Sequence, residues 1–256
     1  MEKDYKGTLI REVQPRDVPA LKQLWVDVFG DPAALVDRFL ALLPEMGCGC
    51  VAERDGKLLG SAYLIHGLTL VQPGDHSLRC GYLYAVGVAE TARGEGLGSE
   101  LSRTAVSLGR DAGVELTATL PAELSLYHWY EDILSLTCQS VRTVYSVSTL
   151  PPAERITAAE YLSRREAVLR NRAHVSLSPA AMEFQEALCT CYGGGLFSGE
   201  NLLFCAYREG DLWFIPELLP TSSEAQIPKD FLAKTLPYVC SDVPFPDGFV
   251  WNLSFD

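Results

Sequence analysis

Arg93-Gly94-Glu95-Gly96-Leu97-Gly98 decides how the rest of the chain is read. Three glycines at alternate positions stand between an apolar stretch, Leu78 to Val88, and an amphipathic one, Gly96 to Ala112. In the first, Tyr82, Tyr84, Val86 and Val88 recur with the period of two that puts strand side chains on one face. In the second, Leu97, Leu101, Ala105 and Leu108 follow the spacing of a helix stripe, and Gly113 stands where a helix would end. A glycine turn leading from a strand into a helix exposes backbone N–H groups at the positive helix end, and its missing Cβ atoms let a phosphate come close. The spacing excludes two other phosphate loops. A dinucleotide fingerprint needs Gly-x-Gly-x-x-Gly, and a nucleoside triphosphate loop needs Gly-Lys before Ser or Thr.

Working outward, Leu9 to Val13 reads as a strand, and Asp17 caps a helix carrying Val18, Leu21, Leu24, Trp25 and Val28 on one stripe. Asp31-Pro32 opens a second helix with Leu35, Phe39 and Leu42. Cys50 to Arg54 and Lys57 to Ile65 flank Asp55-Gly56, a hairpin signal because both turn residues tolerate positive φ. After the loop and its helix, Val114 to Leu120 reads as a strand, Leu124 to Ile133 as a short helix, and a last strand follows. The order is β-α-α-β-β-β-α-β-α-β. Pro151-Pro152 cannot enter a central sheet and marks a division into domains 1–150 and 151–256. Beyond it, helices are expected over Ala158 to Asn171, Pro179 to Cys191 and Lys229 to Tyr238. A hairpin is expected over Leu202 to Tyr207 and Leu212 to Ile215, and a strand-like alternation over Phe249 to Phe255.

Arg93, Gly96 and Gly98 fill motif A of the GNAT acetyltransferase superfamily (Gln or Arg, two free positions, Gly, one free position, Gly or Ala), which the chain resembles from about Thr8 to Val147 in element order as well. The resemblance implies an α/β (α+β) fold, with a mixed, mostly antiparallel sheet flanked by helices. It also implies acetyl-CoA as acyl donor. By the same resemblance, the strand before the loop is expected to splay from its neighbour, with Val86 and Val88 along the pantetheine arm and Arg93, Gly94, Glu95, Gly96, Leu97, Gly98 and Ser99 holding the pyrophosphate. Tyr130, in Tyr130-Glu131-Asp132-Ile133-Leu134-Ser135, aligns with the tyrosine of a Tyr-Glu-Lys-x-Gly-Phe stretch and would protonate the leaving thiolate. Leu134 and Ser135 replace the Gly-Phe pair, and Glu90 replaces a common proline. Read from the residues alone, no general base stands out among Tyr82, Tyr84, His66, His128 and Glu131. In similar multi-domain enzymes the C-terminal carboxylate can serve, which draws in Phe255-Asp256. Residues 151–256 lack a second motif A and read as a degenerate half of the same fold or an unrelated small α/β cap.

The balance of charge narrows the partners. Lys plus Arg number 21 against 33 Asp plus Glu, the deficit is shared evenly by both halves, and an acidic surface of this kind disfavours nucleic acid and anionic membranes while tolerating a cationic amine. The absence of an apolar run of about 18 residues or of a leader points to a cytoplasmic chain. Among the eight cysteines, Cys48-Gly49-Cys50 and Cys189-Thr190-Cys191 have one intervening residue, too few for a zinc cluster, so free thiols and no metal are expected. Three functions stay open on sequence: an acetyl-CoA-dependent N-acetyltransferase acting on a small-molecule or peptide amine, a non-catalytic acyl-CoA-binding or regulatory module, and a self-associating protein, such as a homodimer, with an incidental loop.

Overall fold

A computed structural model describes every residue except 1, 75, 223, 224, 226, 247, 248, 252–254 and 256, with the backbone alone described at 138–141 and 235–239. By compactness the chain forms two units, Met1–Thr69 with Leu78–Cys138 and Val239–Pro244, and Leu70–Ser77 with Gln139–Tyr238 and Phe245–Asp256. Pro151 and Pro152 fall inside the second unit, between two of its strands.

The first unit is built on strands β1 (Glu2–Tyr5), β2 (Thr8–Glu12), β3 (Gly47–Arg54), β4 (Lys57–Gln72), β5 (His76–Val88) and β6 (Leu116–Thr119), adjacent in that order. β1·β2, β2·β3 and β3·β4 are antiparallel and β5·β6 is parallel. Asp55 and Gly56, at φ 51 and 74, make the expected β3–β4 turn. The hairpin β1–β2 has no counterpart in the sequence reading, because Glu2-Lys3-Asp4-Tyr5 carries no apolar alternation and Lys6 turns at a positive φ of 52.

Helices α1 (Val18–Phe29) and α2 (Ala33–Met46) cover one sheet face through Trp25 and Phe39, whose rings lie 5.5 and 5.0 Å from Tyr63 of β4 and 5.8 and 5.6 Å from Tyr84 of β5. Helices α3 (Leu97–Asp111) and α4 (Leu124–Leu134) cover the other, where Ile10, Cys50, Ala52, Leu64 and Leu83 meet Leu97, Leu101, Ala105 and Tyr130. Neither expected acidic cap serves its helix. Asp17 accepts from both terminal nitrogens of Arg11 at 2.7 and 2.8 Å and from the Gln14 N–H at 2.8 Å, and Asp31 accepts from the buried indole of Trp25 at 2.8 Å. A charged guanidinium and a buried indole N–H, which needs a partner, take those oxygens in place of the helix amides.

The second unit pairs β7 (Thr137–Val147) with β12 (Leu212–Pro220), β12 with β11 (Leu202–Glu209), β11 with β10 (Gly195–Gly199) and β10 with β8 (Ala153–Ile156), all antiparallel. Its helices are α5 (Ala158–Leu169) and α6 (Pro179–Cys191). Short strands β8, β9 (His174–Leu177) and β10 were not expected from the sequence. The helix expected over Lys229 to Tyr238 is instead strand β13 (Leu232–Ser241), consistent with Pro237, which is unfavourable inside a helix, and with the β-favouring Tyr238 and Val239. The end of β13 belongs to the first unit, where Cys240 pairs antiparallel with Thr119 and Ser241 with Ala118. Asp242 fastens it there, accepting from the Thr117 N–H at 2.8 Å and from Arg110. Of the alternation expected over Phe249 to Phe255, Val250 forms a single parallel bridge to His174, and 252–254 lie outside the described residues.

Candidate active site

The two strands that frame the site part company. The parallel ladder runs from Cys80↔Leu116 to Tyr82↔Ala118 and goes no further, while β5 continues for six residues to Val88. At the last step the Thr119 hydroxyl donates to the Leu83 carbonyl at 3.0 Å in place of a main-chain bond. Two residues on, Ala85 adopts φ 47, a left-handed conformation that costs a non-glycine roughly 1 kcal/mol or more. This bulge overturns the expected shared face of Tyr82, Tyr84, Val86 and Val88. Tyr82 and Tyr84 stay on the α1–α2 side, their rings 6.2 Å apart, whereas Val86 and Val88 join Leu83 on the α3–α4 side.

Beyond β5 the chain makes one turn of 3-10 helix, Glu90–Ala92, and enters the glycine loop. Arg93 is exposed and donates from Nε to the Val88 carbonyl at 3.2 Å, tying the loop to the strand end. Gly94 and Gly96 have φ 82 and 87, which explains why glycine stands at both. Gly96 is the N-cap of α3 and supplies no capping side chain. The Glu100 N–H reaches the Gly96 carbonyl at 3.2 Å, so the amides of Leu97, Gly98 and Ser99 precede the first bonded turn and are left for an incoming acceptor. A Cβ on Gly98 would lie 3.6 Å from the Trp129 ring, which places that glycine beside α4.

Glu95 would set a negative charge among phosphate-binding amides, but three side chains hold it. Its carboxylate accepts from Arg54 Nη2 at 2.5 Å, and its carbonyl accepts from the Tyr5 hydroxyl at 3.4 Å and Lys6 Nζ at 3.2 Å. The Arg54 hydrogen bond, chiefly, keeps the Glu95 carboxyl below its usual range. Lys3 pairs with Glu100 in the first turn of α3 at 2.6 Å. None of Lys3, Tyr5, Lys6 and Arg54 was picked out from sequence. Only the Asp55-Gly56 turn, which fixes Arg54 as the last residue of β3, could have hinted at one of them.

Tyr130 lies in the wedge with only 7% of its surface exposed, packed with Leu83, Leu97, Leu101 and Leu136 and with Trp129 edge-on at 4.7 Å. Burial pushes its phenol up to about 12, partly offset by a hydrogen bond with Thr119. The structure therefore gathers Val86, Val88, Leu97 and Tyr130 into one cluster bordered by the open amides of Gly98 and Ser99. The candidate bases are dispersed. His128 and Glu131 are exposed on α4 and 3.7 Å apart, His66 is half-buried with its pKa lowered first by burial, and Tyr82 is buried. Asp256 lies outside the described residues. Ser135 ends α4 at φ 58, one residue after the position where the motif carries glycine.

Among the described residues no helix is long and apolar enough to cross a membrane, and no group of three His, Cys, Asp or Glu could hold a metal ion. No curated protein sequence matches the chain. Solved structures share the fold. A GCN5-related N-acetyltransferase from Kribbella flavida aligns at TM-score 0.64 and 15% identity over 93% of this chain and 71% of its own. A conserved protein of unknown function from Enterococcus faecalis aligns at 0.65 and 12% over 91% and 72%. A GCN5-related N-acetyltransferase from Anabaena variabilis aligns at 0.62 and 14% over 90% and 66%. The family model of the acetyltransferase (GNAT) domain matches residues 9–131, a span running from β2 through the glycine loop to Tyr130 and Glu131, and over that span the chain is similar to that family.

Proposed function

We propose that the protein moves an acetyl group from acetyl-CoA to a primary amine by direct attack. The observation that carries this reading is the wedge between β5 and β6. It presents a strand stretch beyond the end of the β5·β6 ladder, then three uncapped amides at a helix start, and a buried phenol between them. An extended pantetheine arm fits along residues 85–87, between the Leu83 carbonyl held by Thr119 and the Val88 carbonyl held by Arg93, and a pyrophosphate fits Leu97, Gly98 and Ser99, where Gly96 leaves no side chain in the way. Bound acetyl-CoA supplies a thioester, an acyl group already activated toward an amine.

The remaining work falls to side chains. Arg93, Lys6 and Arg54 place positive charge around the loop against the single charge of Glu95. Leu83, Val86, Val88 and Trp129 exclude water from the wedge. Tyr130 stays protonated throughout the neutral range and donates its hydrogen bond to sulfur as negative charge gathers there. The acidic balance favours a cationic acceptor.

A second reading has one observation behind it. A phenol near 12 is some 3 to 4 units weaker than a thiol at roughly 8.5, so complete proton transfer to a solvated thiolate would run uphill and the fold could serve acyl-CoA binding alone. A sulfur in the same dry wedge has its own basicity raised by burial, which narrows the gap and favours the enzyme. Calorimetry with acetyl-CoA, paired with thiol release across a panel of cationic amines, separates the readings. Binding with amine-dependent release supports transfer. Binding without release supports the module, and no binding sinks both.

A further inference from the structure

The tip of the β1–β2 hairpin carries a strain that the hairpin itself does not require. Tyr5 pairs with Thr8, so Lys6 and Gly7 form a two-residue turn, at φ 52 and 76. Such turns favour asparagine or aspartate before the glycine, and a left-handed step costs a lysine roughly 1 kcal/mol. The side chains at this tip reach the glycine loop. Lys6 Nζ donates to the Glu95 carbonyl at 3.2 Å, and the Tyr5 hydroxyl donates to the same oxygen at 3.4 Å. Arg54 fastens hairpin and loop together, donating from Nε to Thr8 Oγ1 at 2.9 Å and from Nη2 to the Glu95 carboxylate. A trans peptide points its carbonyl and its N–H in opposite directions, and no cis peptide is present. With the Glu95 carbonyl drawn to the hairpin, the Gly96 N–H faces away from Tyr5 and Lys6, and among the described residues it meets no acceptor.

We propose that Tyr5 and Lys6 are positioning residues for the cofactor loop, and that their grip on one carbonyl fixes the Glu95–Gly96 peptide with its N–H turned outward as a further donor to the pyrophosphate. The inference rests on the acetyl-CoA reading of the loop. Glycine takes φ of either sign with similar ease, so Gly96 does not by itself keep this peptide from turning over. Two donors on the Glu95 oxygen oppose that rotation, because it would strand both of them. The ammonium also draws electron density toward the carbonyl, which makes the N–H of the same peptide a stronger donor. The grip adds the Gly96 amide to those of Leu97, Gly98 and Ser99 at the start of α3.

The test follows amide resonances of the full chain by NMR during titration with acetyl-CoA and, separately, with S-acetylpantetheine, which has the thioester arm but no pyrophosphate. In the wild type, acetyl-CoA should carry the Gly96 amide proton downfield and S-acetylpantetheine should leave it in place. Lys6→Asn puts a residue suited to the turn at position 6, so Tm should hold or rise, yet acetyl-CoA should bind about threefold to tenfold more weakly. Tyr5→Phe removes no charge and should weaken acetyl-CoA about threefold, while S-acetylpantetheine stays within about twofold in both variants. In the double variant the Gly96 shift should be lost. Weakening in Lys6→Asn with none in Tyr5→Phe would mark a purely ionic attraction and overturn the positioning role. An unchanged Gly96 shift in the double variant, or equal losses for both ligands, would overturn it too. No binding of acetyl-CoA by the wild type overturns the acetyl-CoA reading itself and this inference with it.

Discussion

Gly98→Asp separates stability from cofactor binding at a single atom. Gly98 is the second residue of α3 with helical backbone, and the nearest neighbours of a Cβ there would be Trp129 at 3.6 Å and Val88 at 3.8 Å, ordinary contacts. Gly96 is a poorer target, since φ 87 and the Tyr5 hydroxyl 2.6 Å from its would-be Cβ add strain to any substitution. For the helix, an aspartate at this position replaces a flexible residue and faces the positive helix end, together worth about 1 kcal/mol and a rise in Tm of roughly 2–4 °C. For the ligand, one carboxylate about 5 Å from a pyrophosphate of two charges costs about 2 kcal/mol at the dielectric of water and about 7 kcal/mol at an effective dielectric of 20. Affinity for acetyl-CoA should therefore fall at least about 20-fold while Tm holds or rises.

Gly98→Asn is the control, because it has the same shape without the charge and should bind within a few-fold of wild type. Raising the salt concentration should recover part of the Gly98→Asp loss, since the repulsion acts near the surface. Calorimetric titration and thermal melts read both quantities on the same samples. Equal affinities for the Asp and Asn variants would show that no phosphate lies at the start of α3.

Arg54→Ala should weaken acetyl-CoA about threefold to tenfold by leaving the Glu95 carboxylate unpaired in the loop, and Glu95→Gln in the same chain should restore it; titration of the two singles and the double decides, and no recovery in the double would refute the pairing. The raised Tyr130 pKa makes its folded form hold a proton that the unfolded chain releases near 10. Its share of stability is thus complete below pH 10 and is lost between pH 10 and about 12, roughly 3 kcal/mol. Urea melts across that window should show a shallower loss in Tyr130→Phe than in wild type, and parallel curves would contradict the burial. In the second unit, Arg165 and Glu217 are fully buried and bonded at 3.0 Å, with Tyr161 donating to Glu217 at 2.9 Å. Arg165→Met should cost about 3–5 kcal/mol in chemical denaturation by stranding a buried carboxylate, whereas a cost under about 1 kcal/mol would show that water reaches Glu217.

Legibility in the sequence followed the scale of the determinant. The glycine loop was legible because it works through backbone amides, and positive φ with close approach leaves glycine few substitutes. Helices α3, α4 and α6 and both Gly-containing hairpin turns were legible for the same local reason, being set by residues within a few positions of one another. The strand β13 was misread as a helix because its state depends on pairing with Thr119, more than a hundred residues away, which no local period records. The anchoring of Glu95 was hidden in the same way. Tyr5, Lys6 and Arg54 converge on it from two other hairpins, and nothing in their own neighbourhoods marks them.

Ala85 shows how far one residue can carry a site beyond what a pattern reveals. Strict alternation would have put Val86 and Val88 on the face of Tyr84, beneath α1 and α2, with Trp25 and Phe39. The left-handed step at Ala85 shifts the parity by one, so that Val86 and Val88 face Tyr130 while Gly87 turns back toward α1. There a Cβ on Gly87 would stand 3.0 Å from Phe29. Alanine gives no sequence signal for positive φ, and the conformation persists because packing on both faces over-determines it. Tyr84 is held by the aromatic cluster on one side, Leu83 by the Thr119 hydroxyl and Val86 by the α3–α4 core on the other. The strained step at Ala85 and the hydroxyl staple at Leu83 thus act two residues apart on β5. The ladder to β6 ends beside these residues, and the parity shift is how Val86 and Val88 come to pack in one cluster with Tyr130.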